Sequence, residues 1–402
     1  MHEQGRNNPL LLWMDEGDPD LVPVMMGSAS DTAAAYFGVP SRADESSESG
    51  AAGAPPSPEM ILRCRQETGI QIHWPLGEGS TLQLVEFMED VERKVTRQVD
   101  SCGTLRIRTT LVTPKGNLSE TFIIPRELPA CWEENFVKGQ EDLPALAYLS
   151  NTAARLALED SRVRDTLCAR FRAEASLWPA DVPLFLGIGI PTFDLMSQRY
   201  MSHACGVYLL TDHRALFESV FESEARSKPM WIECAAAAGA DYVMGAINGL
   251  ELFSPGIYRR YFIPQARALH ELAHTHGLRG WVHTCGHMKR LIAEGVYEPM
   301  AVDILESLSH PPLGDVSDLR EARSRLGSTI VTRGAVNVST LYAKDPEEVR
   351  QRVRAVLRDT RGYRHMVGDT NSSYPPYPRE NLLAMVDEVR KSGRMFCPEE
   401  TG

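Results

Sequence analysis

The sequence TIVTRG at residues 329–334 is followed by DPEEVRQRVRAVL at 345–357 and by YRHMVGD at 363–369. The first and last runs are short and largely apolar, which is typical of strands that are covered on both faces. In the middle run, Asp345 can cap a helix whose first residue is Pro346. The three runs therefore predict a strand, a helix and a second strand parallel to the first.

The same alternation of strand and helix extends over most of the chain. The strand candidates are residues 21–27, 184–189, 206–211, 241–245, 280–285, 302–307, 329–334 and 363–369. Eight strands that alternate with helices predict an α/β fold, a closed (β/α)₈ TIM barrel. An open doubly wound sheet is the alternative, but the sequence has neither of the glycine-rich phosphate-binding motifs that would support it.

Two segments depart from the barrel pattern. Between residues 95 and 124, apolar and polar residues alternate around the turn sequence TPKGN at 113–117. This alternation predicts an antiparallel hairpin outside the barrel. The segment 41–58, SRADESSESGAAGAPPSP, has too few apolar side chains to be buried and is predicted to be a mobile insertion. We expect residues 1–402 to form a single barrel domain with these two additions.

Composition limits the classes of function. The chain has 402 residues and a formal net charge of -12, so its surface disfavours nucleic acids and anionic membranes as main partners. No apolar run is long enough to span a bilayer, and the first residues do not lead into the apolar core of a signal peptide. We therefore expect a cytoplasmic protein. Its eight cysteines form no C-x-x-C pair, which favours free thiols over a disulfide framework.

The strand GWVHTC at 280–285 carries the most informative pair of residues. Residues i and i+2 of a strand point to the same side, so His283 and Cys285 are expected to project together. They lie at the C-terminal end of the strand, where the reactive groups of a (β/α)₈ barrel are found. An imidazole beside a thiolate is a suitable pair of Zn²⁺ ligands. The alternative is a buried thiol next to a hydrogen-bonded histidine.

Other polar residues follow the remaining strands and are expected at the same rim. For each of them the alternative is a helix cap or a loop residue that satisfies backbone groups. Arg333 and Asn337 could also bind a substrate carboxylate or phosphate. The predicted roles are further metal ligands, Glu251 and Asp369; catalytic residues, Glu306, Arg333 and again Asp369; and cofactor contacts, Asn248 and Asn337.

Two similar motifs are interpreted as structural. His203 and Cys205 repeat the H-x-C spelling, but they precede the strand candidate 206–211 and would lie at the opposite, stability-determining end of the barrel. The sequence HELAH at 270–274 matches the H-E-x-x-H motif of zinc proteases. It falls on a helix of the outer ring, where its histidines are expected to be solvated or hydrogen-bonded. A zinc protease is therefore a disfavoured alternative.

The order of several segments resembles the uroporphyrinogen-decarboxylase-like superfamily. The resemblance covers roughly the last two-thirds of the chain. It is carried by AGAD at 238–241, FIP at 262–264, VHTCG at 282–286, PPLGDV at 311–316, RGAVN at 333–337, DPEEV at 345–349 and PRENL at 378–382.

The resemblance implies one of two activities. Decarboxylases of the superfamily have an arginine-rich N-terminal signature, whereas residues 22–27 of this chain contain no arginine. The methyltransferase branch binds zinc through an H-x-C pair, matched here by His283 and Cys285, and through a later cysteine. Residues 368–373 contain no cysteine. A carboxylate such as Asp369 can bind zinc in its place; the alternative is an enzyme that demethylates a substrate or uses a methyl acceptor other than a thiol. The resemblance thus favours a methyltransferase over a decarboxylase or a barrel that only binds ligands.

The cofactor and partner follow from the same resemblance. Methyltransferases of this branch exchange a methyl group with a separate corrinoid protein. The chain has no D-x-H-x-x-G cobalamin-binding motif, so we expect cobalamin to arrive on that partner protein. The expected reaction moves a methyl group between the corrinoid protein and a small-molecule donor or acceptor, assisted by zinc.

Overall fold

Parallel strands form the central sheet of the computed structural model, which describes residues 8–39, 55–125, 130–196, 200–248, 253–370, 377–392 and 394–396. The sheet has seven strands, and each pairs in parallel with its neighbour in space. Numbered along the chain and given in spatial order, they are β1 (Trp74–Glu78), β6 (Leu184–Gly187), β7 (Tyr242–Asn248), β8 (Arg279–Cys285), β9 (Ile304–Ser307), β10 (Val331–Val336) and β11 (His365–Asp369).

Residues 22–25 close the sheet into a barrel. The Met25 amide donates to the Val367 carbonyl of β11 at 2.8 Å, and the Gln71 amide, just before β1, donates to the Val24 carbonyl at 2.7 Å. This short segment therefore lies between the first and last strands of the sheet and acts as the eighth strand. The predicted (β/α)₈ barrel is confirmed, including the predicted contribution of residues 21–27.

One predicted strand is wrong. Residues 206–211 belong to a helix that runs over His203–Asp212, and the Ser202 hydroxyl caps it by accepting from the Cys205 amide at 3.2 Å. A short apolar run fits a strand or a buried helix equally well, and here the N-terminal cap decides the outcome. His203 and Cys205 consequently lie in the first turn of a helix.

The strand that replaces it is β1, which the sequence analysis did not predict. Its sequence WPLGE contains Pro75 and Gly77, and both residues are depleted in strands. The structure accommodates them with a shift of register between these two residues. A β-bulge of this kind leaves an extra residue in one strand and turns the following side chains to the other face.

Helices surround the barrel and close its lower end. In the first of them, Leu10 and Trp13 pack against interior residues Met25, Tyr242 and Trp281. The helices are α1 (Pro9–Glu16), α2 (Ala29–Phe37), α3 (Pro58–Thr68), α4 (Thr81–Leu84), α5 (Leu143–Glu159), α6 (Ser161–Ala175), α7 (Pro191–Leu195), α8 (His203–Asp212), α9 (Arg214–Ala237), α10 (Pro255–Ile257), α11 (Ile263–Thr275), α12 (Lys289–Ala293), α13 (Leu319–Leu326), α14 (Val338–Leu341), α15 (Pro346–Asp359) and α16 (Arg379–Lys391). Among the described residues, no helix is long and apolar enough to cross a membrane.

A separate antiparallel sheet stands beside the barrel, as predicted, but it is larger than a hairpin. Its four strands are β2 (Glu92–Val99), β3 (Leu105–Thr113), β4 (Gly116–Ile124) and β5 (Cys131–Glu134). Leu111 and Leu118 attach the sheet to the main core. Most of the predicted insertion 41–58 lies outside the described residues, and its last residue, Pro58, begins α3.

The packing of α6 against α9 brings two thiols together. The Cys168 and Cys234 sulfur atoms lie 2.7 Å apart, Cys234 buried and Cys168 partly exposed. A disulfide bond is about 2.05 Å long, so a movement of roughly 0.7 Å would close the gap.

We predict that a mild oxidant such as diamide joins Cys168 to Cys234 in the folded protein. Peptide mass spectrometry should identify this cross-link, and Cys168→Ser should abolish it. Cys102→Ser is the matched control, because Cys102 is exposed on the antiparallel sheet and its removal should leave the cross-link unchanged. Failure to recover a Cys168–Cys234 peptide would contradict the packing of α6 on α9.

Candidate functional site

The predicted pair, His283 and Cys285, lies on the interior face of β8. Trp281 is buried in the barrel interior against Tyr242 and Ile304. Side chains alternate along a strand, so His283 and Cys285 point to the same side as Trp281. They lie two and four residues closer to the C-terminal end of the strand. The pair therefore lies at the barrel mouth, the end at which enzymes with this fold carry their active sites.

His283 is held on both sides of its ring. Its Nε2 atom lies 2.8 Å from the Cys285 sulfur, and its Nδ1 atom lies 2.5 Å from Oε1 of Glu306 on the neighbouring strand β9. Burial acts to lower the pKa of His283, but Cys285 and the Glu306 carboxylate outweigh it and raise this pKa to about 10. In the absence of a metal, both ring nitrogens therefore donate, Nδ1 to the carboxylate and Nε2 to the sulfur.

Glu306 is in turn fixed by Arg333 of β10. The Arg333 Nε atom donates to Oε2 of Glu306, and both side chains are almost fully buried. Burial alone would raise the pKa of Glu306, but the charges of Arg333 and His283 hold it well below its usual range. Glu306 is therefore an ionised, hydrogen-bonded carboxylate at the centre of the barrel mouth.

The same arginine reaches the last strand. Its Nη1 atom donates to Oδ1 of Asp369 at 2.8 Å and to the Met25 carbonyl at 3.0 Å. The Gly27 amide donates to the same Asp369 oxygen at 2.7 Å. A continuous chain of contacts thus runs from Cys285 through His283, Glu306 and Arg333 to Asp369.

The remaining predicted residues are placed differently. Asp369 is grouped with Arg333 and Gly27, and within the described ranges no three His, Cys, Asp or Glu side chains are arranged to hold a metal ion. Asn337 is buried, donates to the His310 carbonyl at 2.8 Å and so ties two loops together. Asn248 ends β7 opposite Cys285, and Glu251 lies outside the described residues.

The H-E-x-x-H motif on α11 is structural. His270 contacts the Met300 carbonyl through Nδ1 at 2.8 Å and is buried, although it was expected to be exposed or hydrogen-bonded at the surface. His274 contacts Oδ2 of Asp303 at 2.7 Å through Nε2. The two histidines have separate partners on the outside of the barrel, as the interpretation of this helix required.

A cavity of about 420 Å³ opens at the barrel mouth. It lies over the C-terminal ends of β1, β6 and β7, and its polar lining includes Glu78, Asp194 and Tyr200. Ala246 also lines it and is aligned with His283 across β7 and β8. The cavity therefore reaches the strand next to the one that carries His283 and Cys285, although neither of these residues lines it.

Two interior residues were missed because their strand was missed. His73 precedes β1 and makes hydrogen bonds to the Tyr242 hydroxyl and, at 3.4 Å, to the Gly27 carbonyl. Burial, followed by the charge of Arg333, lowers the pKa of His73 to about 4, so it is neutral near pH 7. Glu78 ends β1 at the cavity. The glycines on both sides of Glu78 were a signal of close backbone approach.

Comparisons with known proteins agree with this architecture. The model of the uroporphyrinogen decarboxylase family matches residues 199–392, which confirms the resemblance seen in the sequence. A methyltransferase from Methanosarcina mazei superposes with a TM-score of 0.59 at 14% identity, covering 95% of this chain and 97% of that chain. At this identity the likeness establishes the fold alone.

A second solved structure is more distant. A B12-independent methionine synthase from Shewanella sp. W3-18-1, in complex with selenomethionine, gives a TM-score of 0.41 at 16% identity and covers 82% of this chain and 85% of that chain. No curated protein matches the chain at a significant level.

We predict that Glu306 makes stability depend on pH. Its folded-state pKa is well below the ordinary value of 4.5, so the stabilisation is fully present above pH 4.5, begins to decline below it, and is lost only as the pH falls through the lowered folded-state pKa. Glu306→Gln should cost about 3 kcal/mol near pH 7, as expected for a broken buried ion pair. The difference from wild type should shrink near pH 4.

Urea denaturation at the two pH values measures these free energies of unfolding. Glu86→Gln is the matched control, because Glu86 pairs with Arg170 at the exposed surface. This control should change stability by at most about 1 kcal/mol at either pH. A Glu306→Gln effect as small as that of the control, or one independent of pH, would contradict the assigned ion pairs.

Proposed function

Since residues 199–392 match the uroporphyrinogen decarboxylase family, we propose that this chain is a methyltransferase that moves a methyl group between a corrinoid protein and a small molecule. The observation that carries the proposal is the contact between His283 Nε2 and the Cys285 sulfur at the barrel mouth. The H-x-C pair is the feature that the resemblance assigns to the methyltransferase branch. The shared fold with the Methanosarcina mazei methyltransferase supports the same choice.

The two side chains fit a zinc ion. Nitrogen and sulfur are the donors that zinc prefers, and here they lie on the same side of the strand. Their separation of 2.8 Å is that of the hydrogen bond between them, and it would lengthen to roughly 3.5 Å around a tetrahedral zinc ion. Glu306 holds the other nitrogen of the His283 ring, as carboxylates commonly do for metal-binding histidines. Zinc bound at this position would supply Lewis acidity and lower the pKa of a bound thiol or water. Glu251 remains a proposed additional ligand.

The buried charges position this pair. Glu306 fixes the orientation of the His283 ring, and Arg333 keeps Glu306 ionised and in place. Asp369 engages a second donor of Arg333. We therefore propose that Arg333 and Asp369 act as positioning residues, and that ionised Glu306 orients the His283 ring by accepting the hydrogen bond from Nδ1.

The two reactants would meet at the mouth from different sides. The cavity over β1, β6 and β7 is large enough for a small molecule, and its lining residue Ala246 is aligned with His283 on the next strand. The corrinoid would be presented by a partner protein, because the chain lacks a cobalamin-binding motif of its own. Docking over the C-terminal rim would bring that cofactor close to Cys285.

We predict that purified protein binds about one zinc per chain and that Cys285→Ala loses it, together with methyl transfer from or to methylcobalamin. Zinc is measured by elemental mass spectrometry, and transfer by the change in the corrinoid spectrum. The matched control is Cys205→Ala, which removes the cysteine of the other H-x-C motif, on α8. It should retain both properties.

Two results would contradict the proposal. Wild-type protein that binds no zinc after incubation with the metal would remove the basis for the site. Equal zinc loss in Cys285→Ala and Cys205→Ala would show that the effect does not belong to the barrel mouth. Circular dichroism of both variants establishes that each remains folded.

A further inference from the structure

The β-bulge in β1 turns one carboxylate into the barrel. Pro75 is opposite Phe185 of β6, and Glu78 is opposite Gly187, so three steps along β1 correspond to two steps along β6. Phe185 packs against the barrel interior. Because side chains alternate, the position of Gly187 faces the interior as well, and the extra residue in β1 gives Glu78 the same direction.

Contacts around Glu78 agree with this direction. A Cβ atom added at Gly187 would lie 3.6 Å from Glu78 Cγ, so the carboxylate side chain passes over this glycine. Glu78 lines the 420 Å³ cavity. Within the described part of the chain, it forms no ion pair. The bulge therefore directs an exposed carboxylate to the rim of the cavity, and no cation of a described residue pairs with it.

The other carboxylate among the described lining residues is paired. Asp194 lines the cavity, but its Oδ2 atom pairs with the buried Lys228 ammonium at 3.1 Å. Lys228 also donates to the Gly79 carbonyl at 3.2 Å. Among the described residues that line the cavity, Glu78 is therefore the carboxylate without an ion pair.

Apart from Ser80 and several glycines, the rest of the described wall is aromatic and apolar. Trp132 of β5 and Tyr200 contribute rings, and Ile188 and Met244 contribute aliphatic and thioether groups. Trp132 is held in place by a ring contact with Phe122 at 4.9 Å. A carboxylate beside aromatic rings is the environment that attracts a methylated ammonium ion, through charge pairing and cation–π contact. An anion would be repelled by Glu78.

We propose that this cavity binds a small quaternary ammonium ion and that this ion is the methyl donor. The second half of the statement rests on the function proposed above. In the transfer the C–N bond breaks and its electron pair stays on nitrogen, releasing a neutral tertiary amine. The methyl group is bonded by the electron pair of the nucleophile that the partner protein presents. Ala246 lines the cavity and is aligned with His283 on the neighbouring strand, so the cavity opens at the same rim as the pair.

Binding is tested by titration calorimetry on the full chain without a partner protein. The probe is choline, and its neutral isostere 3,3-dimethylbutan-1-ol is the comparison ligand. Choline should bind at least about tenfold more tightly than the isostere. Glu78→Gln should weaken choline binding about tenfold and leave the isostere unchanged, and Trp132→Leu should also weaken choline. Glu86→Gln, at an exposed carboxylate outside the cavity, should change neither.

The outcomes separate the two halves of the proposal. Equal binding of choline and the isostere, or tighter binding of 3,3-dimethylbutanoate, would overturn the cation site. An unchanged choline affinity in a folded Glu78→Gln protein would overturn it too, and Glu78→Asp provides a second variant that retains the charge. Choline binding that depends on Glu78, with no methyl transfer to a corrinoid protein, would sustain the site and overturn its assignment to the methyl donor.

Discussion

The buried guanidinium of Arg333 is the group on which the barrel mouth depends. Removing a charge of this kind from water is costly, and the cost is offset only when each donor has a well-placed acceptor. Arg333 has Glu306 on one side and Asp369 with the Met25 carbonyl on the other. Three neighbouring strands and the closing segment 22–25 are therefore joined by a single side chain.

This connection couples the closure of the barrel to the geometry of the site. A Cβ atom at Gly368 would lie 2.0 Å from the Met25 carbonyl and 2.9 Å from Arg333 Nη1. Only glycine thus allows the closing segment and the arginine to approach β11 together. The chain of contacts then continues through Glu306 to His283 and ends at Cys285. Displacement of residues 22–25 would therefore shift the charged groups along this chain and, with them, the position of the Cys285 thiol.

The parts of this arrangement that could be predicted are local in sequence. Alternation of strands and helices determines the barrel, and the i, i+2 spacing within one strand determines that His283 and Cys285 project together. The two errors in the assignment of strands also arise from local sequence. Residues 206–211 have the composition of a strand but follow a helix cap, and β1 contains the proline and glycine that normally argue against a strand.

Contacts between strands could not be predicted. Residues at the C-terminal ends of barrel strands lie at one rim, which predicts that Glu306, Arg333 and Asp369 are neighbours. This rule could not show that the arginine would lie between the two carboxylates. That requires the register of β9, β10 and β11, which no local pattern contains. The direction of Glu78 depends on a one-residue shift against β6. A slip of one residue reverses every side chain of a strand, so this carboxylate is the least predictable part of the site.

The distribution of charge bears on the direction of the proposed reaction. The resemblance implies a later cysteine after the last strand, whereas residues 368–373 of this chain contain none, and the charge of Asp369 is paired with Arg333. A zinc ion at the proposed site would thus have one thiolate fewer with which to activate a thiol acceptor. Among the described residues that line the cavity, the carboxylate without an ion pair is Glu78, on the side of the proposed small molecule. A cationic donor would neutralise that charge on binding, and loss of its methyl group would leave a neutral amine that Glu78 no longer holds. Both features favour demethylation of the small molecule over its methylation.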